Sequence, residues 1–415
     1  MPRLCLLTPG HLATCPRLVK AADSLAEAGY DVRTVSGNLT AWGAAADRDL
    51  LRRRPGKWRA EILDCARATA LGRSAWTALV QRGARAAVGG HAPDRFPLAL
   101  VARASLRAYR QLMRLAAREP ADLFYIGGGA IALAALSAQG LRVALDLEDF
   151  HSRQSADPAG CRHDRLCGQL ERHWLPRLCF RTAGSAAIAD AYTRLYRLPT
   201  LAIHNTFPLP AQPPRIAALR RGEPLKLYWF SQTIGPDRGL QALLPAFREA
   251  AIPLELHLRG WCPEAFRQSF GALAADVPNL KLHWHPPAFP DEMVALASAY
   301  HIGLDPDPPA LPRGLLPLTN KALTYPLAGL AMVVAMSPGR AALIRDLAAG
   351  ALIFRAEAPG ELAAGLRAWG ENPESLARAR QASWQAACQR WHWEHAADRG
   401  ALLDAVRQVV GAPCV

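Results

Sequence analysis

Short strand-patterned runs alternate with helix-patterned stretches along nearly all of the 415 residues, and the alternation breaks once and then restarts. Runs at 3–8, 31–35, 121–126 and 141–147, with shorter ones near Phe180 and at 201–204, precede the break. Runs at 225–230, 254–258, 280–284, 301–304, 330–335 and 351–354 follow it. Strands spaced by helices need a parallel sheet covered on both faces. The break is a proline-rich segment, 207–224, with Pro208, Pro210, Pro213, Pro214 and Pro224. Prolines at that density end regular structure and mark a boundary. The expected organisation is therefore α/β. A Rossmann-like domain spans 1–206, a linker 207–224 and a second Rossmann-like domain 225–385, the two facing a cleft. A helical tail over 386–415 packs back on the first domain. Ligands of such sheets bind at the carboxyl ends of the strands.

Composition narrows the class. A hydrophobic content of 51% supports real cores. The chain opens on Met1-Pro2-Arg3 and a four-residue apolar run, which is no secretory leader, and its nine cysteines are scattered. A cytoplasmic location is expected. The net charge of +14 is concentrated: residues 48–118 hold sixteen Lys/Arg against four Asp/Glu. Solvated helix faces account for such a run. So does a surface meeting anionic lipid headgroups, a reading that Trp42, Trp58 and Trp76 favour. No zinc-finger, helix-turn-helix or RNA-binding signature is present, so nucleic acid is not the expected partner.

Three segments carry candidate chemistry. Leu318-Thr319-Asn320-Lys321 opens a short helix, and a cation beside the free N–H groups of a helix start can hold a phosphate. Ser231 to Gly239, with Gly235 and Arg238, follows a strand and precedes a helix, and backbone N–H groups with a fixed cation can cradle a diphosphate. Ordinary βα turn chemistry also produces such a loop. Asp146, Glu148, Asp149 and His151 crowd one strand end, where they orient hydroxyls or take a proton, or simply cap a helix. Gly10, at the mouth of the first helix, lets a ligand approach the backbone. Asp305-Pro306-Asp307 reads as a turn before a metal motif, and Cys161, His163 and Cys167 match no standard zinc spacing. His283, Trp284 and His285 end a strand and read as structural, with base or sugar contact as the alternative.

In order and spacing these segments resemble the retaining glycosyltransferases of the GT-B fold, specifically family 4. "LTNKALTYPLAGLAMVVA" is similar to the second donor segment of that family and "FSQTIGPDRGL" to the first. "ALDLEDFHS" resembles the strand end that carries a catalytic-cleft acid or histidine, and "WHWEHAADR" the C-terminal helix. The resemblance implies a nucleotide-sugar donor and transfer to a cell-surface glycan, glycolipid or polyprenyl-linked acceptor. Arg238, Lys321, Gly235, Asn320 and Gly10 would serve the donor diphosphate, and Glu148, Asp149 and His151 the acceptor. No cofactor and no metal is implied, because the departing diphosphate itself helps to deprotonate the acceptor. The family carries two glutamates eight positions apart around the donor segment. Here those positions are Leu316 and Thr324. Sugar and ribose contacts then fall to Thr319, Thr324 or Ser231. A non-catalytic scaffold of the same fold and a polyanion-binding protein are the alternatives.

Overall fold

The computed structural model describes residues 1–89, 91, 93–155, 161–214, 219–220, 222–306 and 317–411. They form two compact units. One comprises 1–204 with 396–411, the other 205–395. Each is built on its own parallel sheet.

The first sheet orders its seven strands β3-β2-β1-β4-β5-β6-β7. These are β1 (Arg3–Leu7), β2 (Asp31–Asn38), β3 (Arg59–Asp64), β4 (Leu123–Ile126), β5 (Val143–Asp146), β6 (Arg181–Ala183) and β7 (Leu201–Ala202). Central strands such as β4 are buried along their whole length, as a sheet covered on both faces requires. β3 differs. It lies at the sheet edge, half exposed, inside the basic segment that reads as mostly helical in sequence. Its Arg59-Ala60-Glu61 start carries no apolar run, so periodicity does not mark it.

The second sheet orders its six strands β10-β9-β8-β11-β12-β13. They are β8 (Leu225–Thr233), β9 (Leu254–Trp261), β10 (Leu280–His285), β11 (Ile302–Asp305), β12 (Ala331–Ala335) and β13 (Ala351–Phe354). Leu225, Leu227 and Trp229 of β8 and Leu254, Leu256 and Leu258 of β9 turn one face into the main core. Burial of that apolar area, at roughly 25 cal/mol per Å², is the chief stabilising term. The helix Asn320–Leu327 covers the opposite face. It sits close because Gly303 has no side chain: a Cβ there would lie 2.2 Å from the Tyr325 ring, whose hydroxyl donates to the Leu304 carbonyl at 3.1 Å.

The unit boundaries differ from the sequence expectation at both crossings, for reasons visible in the packing. The chain leaves the first unit at 204 rather than 206. Phe207 is buried with Leu327 and Ala387, and the Asn205 amide donates to Asn320 Oδ1 at 2.7 Å. It returns at 396 rather than 386. Trp391 is held in the second core and its Nε1 donates to Asp346. The terminal helix Ala401–Val410 belongs to the first unit. There the buried Asp398 accepts from the His204 backbone N–H at 2.7 Å, and Arg399 reaches Ser24 and Glu27.

Candidate functional site

In the second unit the carboxyl ends of the adjacent strands β8 and β11 meet the start of the helix Asn320–Leu327. Asp305 closes β11 and is fully buried between two cations. Arg340 Nε donates to its Oδ2 at 2.7 Å, and Lys321 Nζ lies 3.6 Å from Oδ1. Burial alone would push this carboxyl up; Arg340 and Lys321 more than offset it and hold the group below its ordinary value. Lys321 also lies 5.3 Å above the Trp229 ring of β8. Two cations around one carboxylate leave these three residues with a net charge of +1 at the strand ends. Asp305 is therefore the counter-ion of a cation cluster rather than half of an Asp-Pro-Asp metal motif; Asp307 lies outside the described residues, as does Leu316. Arg340 is the member that sequence reasoning missed. Its only signal was its place after Pro338-Gly339, which is turn chemistry.

The helix start differs in detail from the expectation of free N–H groups. Thr319 is the N-cap, and its hydroxyl accepts from the Ala322 N–H at 3.1 Å. Thr324 is fully buried, and its hydroxyl donates to the Asn320 carbonyl at 2.8 Å, one turn back in the same helix. The hydroxyl proton is thereby committed to its own helix. The first donor loop also departs from expectation. No helix begins at Arg238. Pro236–Arg238 is a single 3₁₀ turn, and the helix Leu244–Ala250 starts only after a second such turn. Arg238 is partly exposed and lies 3.7 Å from Asp237. Gly235 is extended, at φ −155°. A Cβ on Gly260 would lie 2.1 Å from the carbonyl oxygen of Ser231, near the end of β8, so β9 presses directly on the strand end that leads into this loop.

In the first unit the acidic cluster separates into roles. Asp146 is buried in a two-point pair with Arg17, with Nε–Oδ2 at 2.6 Å and Nη2–Oδ1 at 2.7 Å, and it also accepts from Thr182. It is structural. Glu148 is half-buried in a left-handed backbone conformation, φ +58°, that only a constrained non-glycine residue adopts. Burial pushes its carboxyl above the ordinary value, against the pull of Arg17. Asp149 Oδ1 accepts from the Phe150 N–H at 2.9 Å. His151 has both ring nitrogens engaged: Nε2 donates to the Leu147 carbonyl and Nδ1 accepts from Gln154 at 3.2 Å. Its ring occupies the space that a Cβ on Gly129 would need, which brings the β4 and β5 strand ends together. Among the described residues, its two chain neighbours apart, nothing lies within 4 Å of the Cβ position at Gly10.

Part of the basic segment is engaged internally. Arg107 donates to Ser74 and Thr77, Arg85 to the Ala104 carbonyl, and Arg54 pairs with Asp23. Trp58 is buried with its Nε1 on Asp23, which removes it from any surface role. Trp42 and Trp76 are exposed. Trp76 and Leu79, with Gly72, Ala75, Ala78 and Arg82, line an open groove of about 560 Å³ on the helix Leu71–Val88.

No protein-family model and no curated protein matches the sequence. Solved structures do. Anabaena HepE in complex with UDP-glucose is 14% identical, with a TM-score of 0.64 over 99% of this chain and 98% of that one. OtsA is 13% identical, with a TM-score of 0.61 over 98% and 99%. S. aureus TarM, in complex with fondaparinux, α-GlcNAc-glycerol and UDP, is 8% identical, with a TM-score of 0.66 over 99% and 100%. The fold is GT-B. At these identities the likeness fixes the architecture of the two Rossmann-like units and leaves the activity to the residues.

Proposed function

We propose that this chain is a nucleotide-sugar glycosyltransferase of the GT-B type. The observation that carries the reading is the Asp305–Lys321–Arg340 cluster at the strand ends of the second unit, which places net positive charge where a parallel sheet takes its ligand. UDP or UDP-glucose is bound in the solved HepE structures, and UDP in that of TarM, which supports a nucleoside-diphosphate donor here. Lys321 and Arg238 would meet the diphosphate, with Asn320 and Gly235 beside them in the same unit. Cations placed there stabilise the charge that develops as the glycosidic bond to the diphosphate breaks, and this asks no metal of the donor step. Retention of configuration fits the same scheme, because the leaving diphosphate can take the acceptor proton. Glu148, with its raised carboxyl, and Asp149 and His151 are assigned to the acceptor. That acceptor is read as a cell-surface glycan, glycolipid or polyprenyl-linked sugar. The exposed Trp76 and Leu79 beside Arg82 would meet an anionic membrane from its cytoplasmic side; no helix among the described residues is long and apolar enough to cross one.

The test is donor binding and turnover. UDP-, GDP- and ADP-sugars are screened by thermal shift, and hydrolysis or transfer is measured for the donor that stabilises the fold. Lys321→Ala is expected to lower kcat/KM by about a hundredfold, the scale of losing one charge-stabilising donor. A turnover rate untouched by that substitution overturns the donor assignment. Donor binding with no turnover on any acceptor favours the scaffold reading, which the Leu316 and Thr324 positions motivate.

A further inference from the structure

On the face of the second sheet opposite its leucine rows, histidines gather at the free edge. β9 contributes Glu255 and His257, two residues apart and therefore on one face. β10 contributes His283 and His285 in the same way. The parallel register pairs His257 directly with His283, and Tyr228 of β8 continues the row. The His257 and His283 rings stack at 4.4 Å, and Tyr300 closes over His257 at 4.7 Å. Glu255, His257 and His283 each bring a ligand atom within 4.8 Å of the others.

Hydrogen bonding orders this set. His257 Nε2 donates to Glu255 Oε2 at 3.3 Å, so its Nδ1 is the acceptor of the 3.0 Å bond from His285 Nε2. His283 Nε2 is buried and has no hydrogen-bond partner among the described residues. A buried imidazole nitrogen without a partner is costly and calls for an occupant. A water or a cation would satisfy it. The surroundings favour a cation, because a carboxylate and a second imidazole converge on the same point.

We propose that Glu255, His257 and His283 form a binding site for a divalent transition-metal ion of the zinc or cobalt class, with His285 as the residue that orients His257. Two imidazoles and a carboxylate are the donor set such ions prefer, with solvent completing the coordination. Bonds of about 2.1 Å place tetrahedral ligand atoms roughly 3.4 Å apart. Glu255 Oε2 and His257 Nε2 already have nearly that spacing. The His283 ring must turn out of its stack, since a lone pair in the ring plane has to point at the ion. On binding, His257 changes from the Nε2–H to the Nδ1–H tautomer and His285 likewise moves its proton from Nε2 to Nδ1, so that His257 Nδ1 then donates to His285 Nε2. That hydrogen bond fixes the tautomer and the ring orientation. Lys226 and Lys281, paired in register with Glu255, keep the empty site from carrying excess negative charge. The ion would tie the edge strand β10 to β9. It takes no part in the donor step, and the site stands whether or not the chain transfers sugar.

The full chain is titrated with Co²⁺ while the visible d–d absorption is followed, and the bound Co²⁺ is then displaced with Zn²⁺. One saturable equivalent is expected, with a rise in melting temperature. Glu255→Gln and His283→Asn should each abolish that equivalent, with far-UV circular dichroism and metal-free melting unchanged. His285→Phe, which keeps a ring but no hydrogen bond, should weaken binding about tenfold. Absence of a saturable equivalent in the unaltered chain overturns the proposal. So does its survival in the well-folded His283→Asn variant, which would place any bound metal elsewhere, as at Cys161, His163 and Cys167.

Discussion

Replacing Asp305 with Asn probes a tightly enclosed charge cluster of the second unit. The carboxylate has no exposure, Arg340 is 1% exposed and Lys321 8%. Asn keeps the shape and one acceptor for Arg340 Nε, but it removes the counter-charge that both cations share. Removing one member of a buried ion pair costs roughly 3–5 kcal/mol, because the remaining charge stays desolvated. Lys321 keeps its contact with the Trp229 face, worth about 1 kcal/mol, so a loss near 4 kcal/mol is expected. That is a large share of the roughly 5–15 kcal/mol that holds a domain together. With a urea dependence of about 2–3 kcal/mol per molar, the unfolding midpoint of this unit should fall by roughly 1.5 M. The assay is urea unfolding at pH 7 followed by circular dichroism, with hydrogen exchange resolving the second unit from the first. Adding Arg340→Met should restore part of the loss, since one of the two cations left behind is then gone. A loss below about 1 kcal/mol, or a double variant less stable than the single one, refutes the assignment of Asp305 as the shared counter-ion.

Two further outcomes follow from the same unit. His301 is buried, accepts from the Lys226 N–H at 3.1 Å, and has its pKa pushed down to about 4, first by burial and then by Arg380 and Lys226. The unfolded chain takes up this proton near pH 6.5 and the folded one does not. Stability is therefore full above pH 6.5 and falls as the pH drops towards 4, by at most about 3 kcal/mol. Melting curves at pH 7 and pH 5 measure the slope, and His301→Asn, which keeps an acceptor for Lys226, should reduce it, leaving the share of His257, whose pKa burial also lowers to about 4; an unchanged slope removes His301 from the account. Gly303→Ala forces a methyl group into the Tyr325 ring, at a cost of about 3 kcal/mol. Combining it with Tyr325→Val should recover much of that loss by calorimetry, and a fully stable single variant would contradict the close approach of helix to strand.

The sequence reveals this fold because its strands are short runs, nearly continuous and apolar as in β4 and β12 or alternating as in β9 and β10, set between helix-patterned stretches. β3 escapes that logic, since an edge strand with exposed Arg59 and half-buried Glu61 has no pattern to show. The site was legible at Lys321, where a cation opens a helix between two strands. Its partners were not. Nothing local marks Arg340 as the residue that folds back onto Asp305, or Thr324 as a hydroxyl turned into its own helix. The histidines illustrate the same limit. The i, i+2 spacing within β9 and within β10 is visible in the chain, but only the register between the strands brings His257 against His283.

The discontinuity of the first unit bears on the order in which the chain acquires its structure. Synthesis runs from the amino terminus, so all of 205–395 is made before Asp398 and the helix Ala401–Val410 exist. Until then the His204 N–H lacks its buried acceptor, and the Ser24 and Glu27 side of the helix Pro16–Glu27 has no cover from Arg399. The second unit is therefore continuous in the chain, whereas the first waits for 396–411, and with it Leu402 and Val406, to complete its packing. Chaperone engagement during synthesis should accordingly fall on the unit that starts first and finishes last.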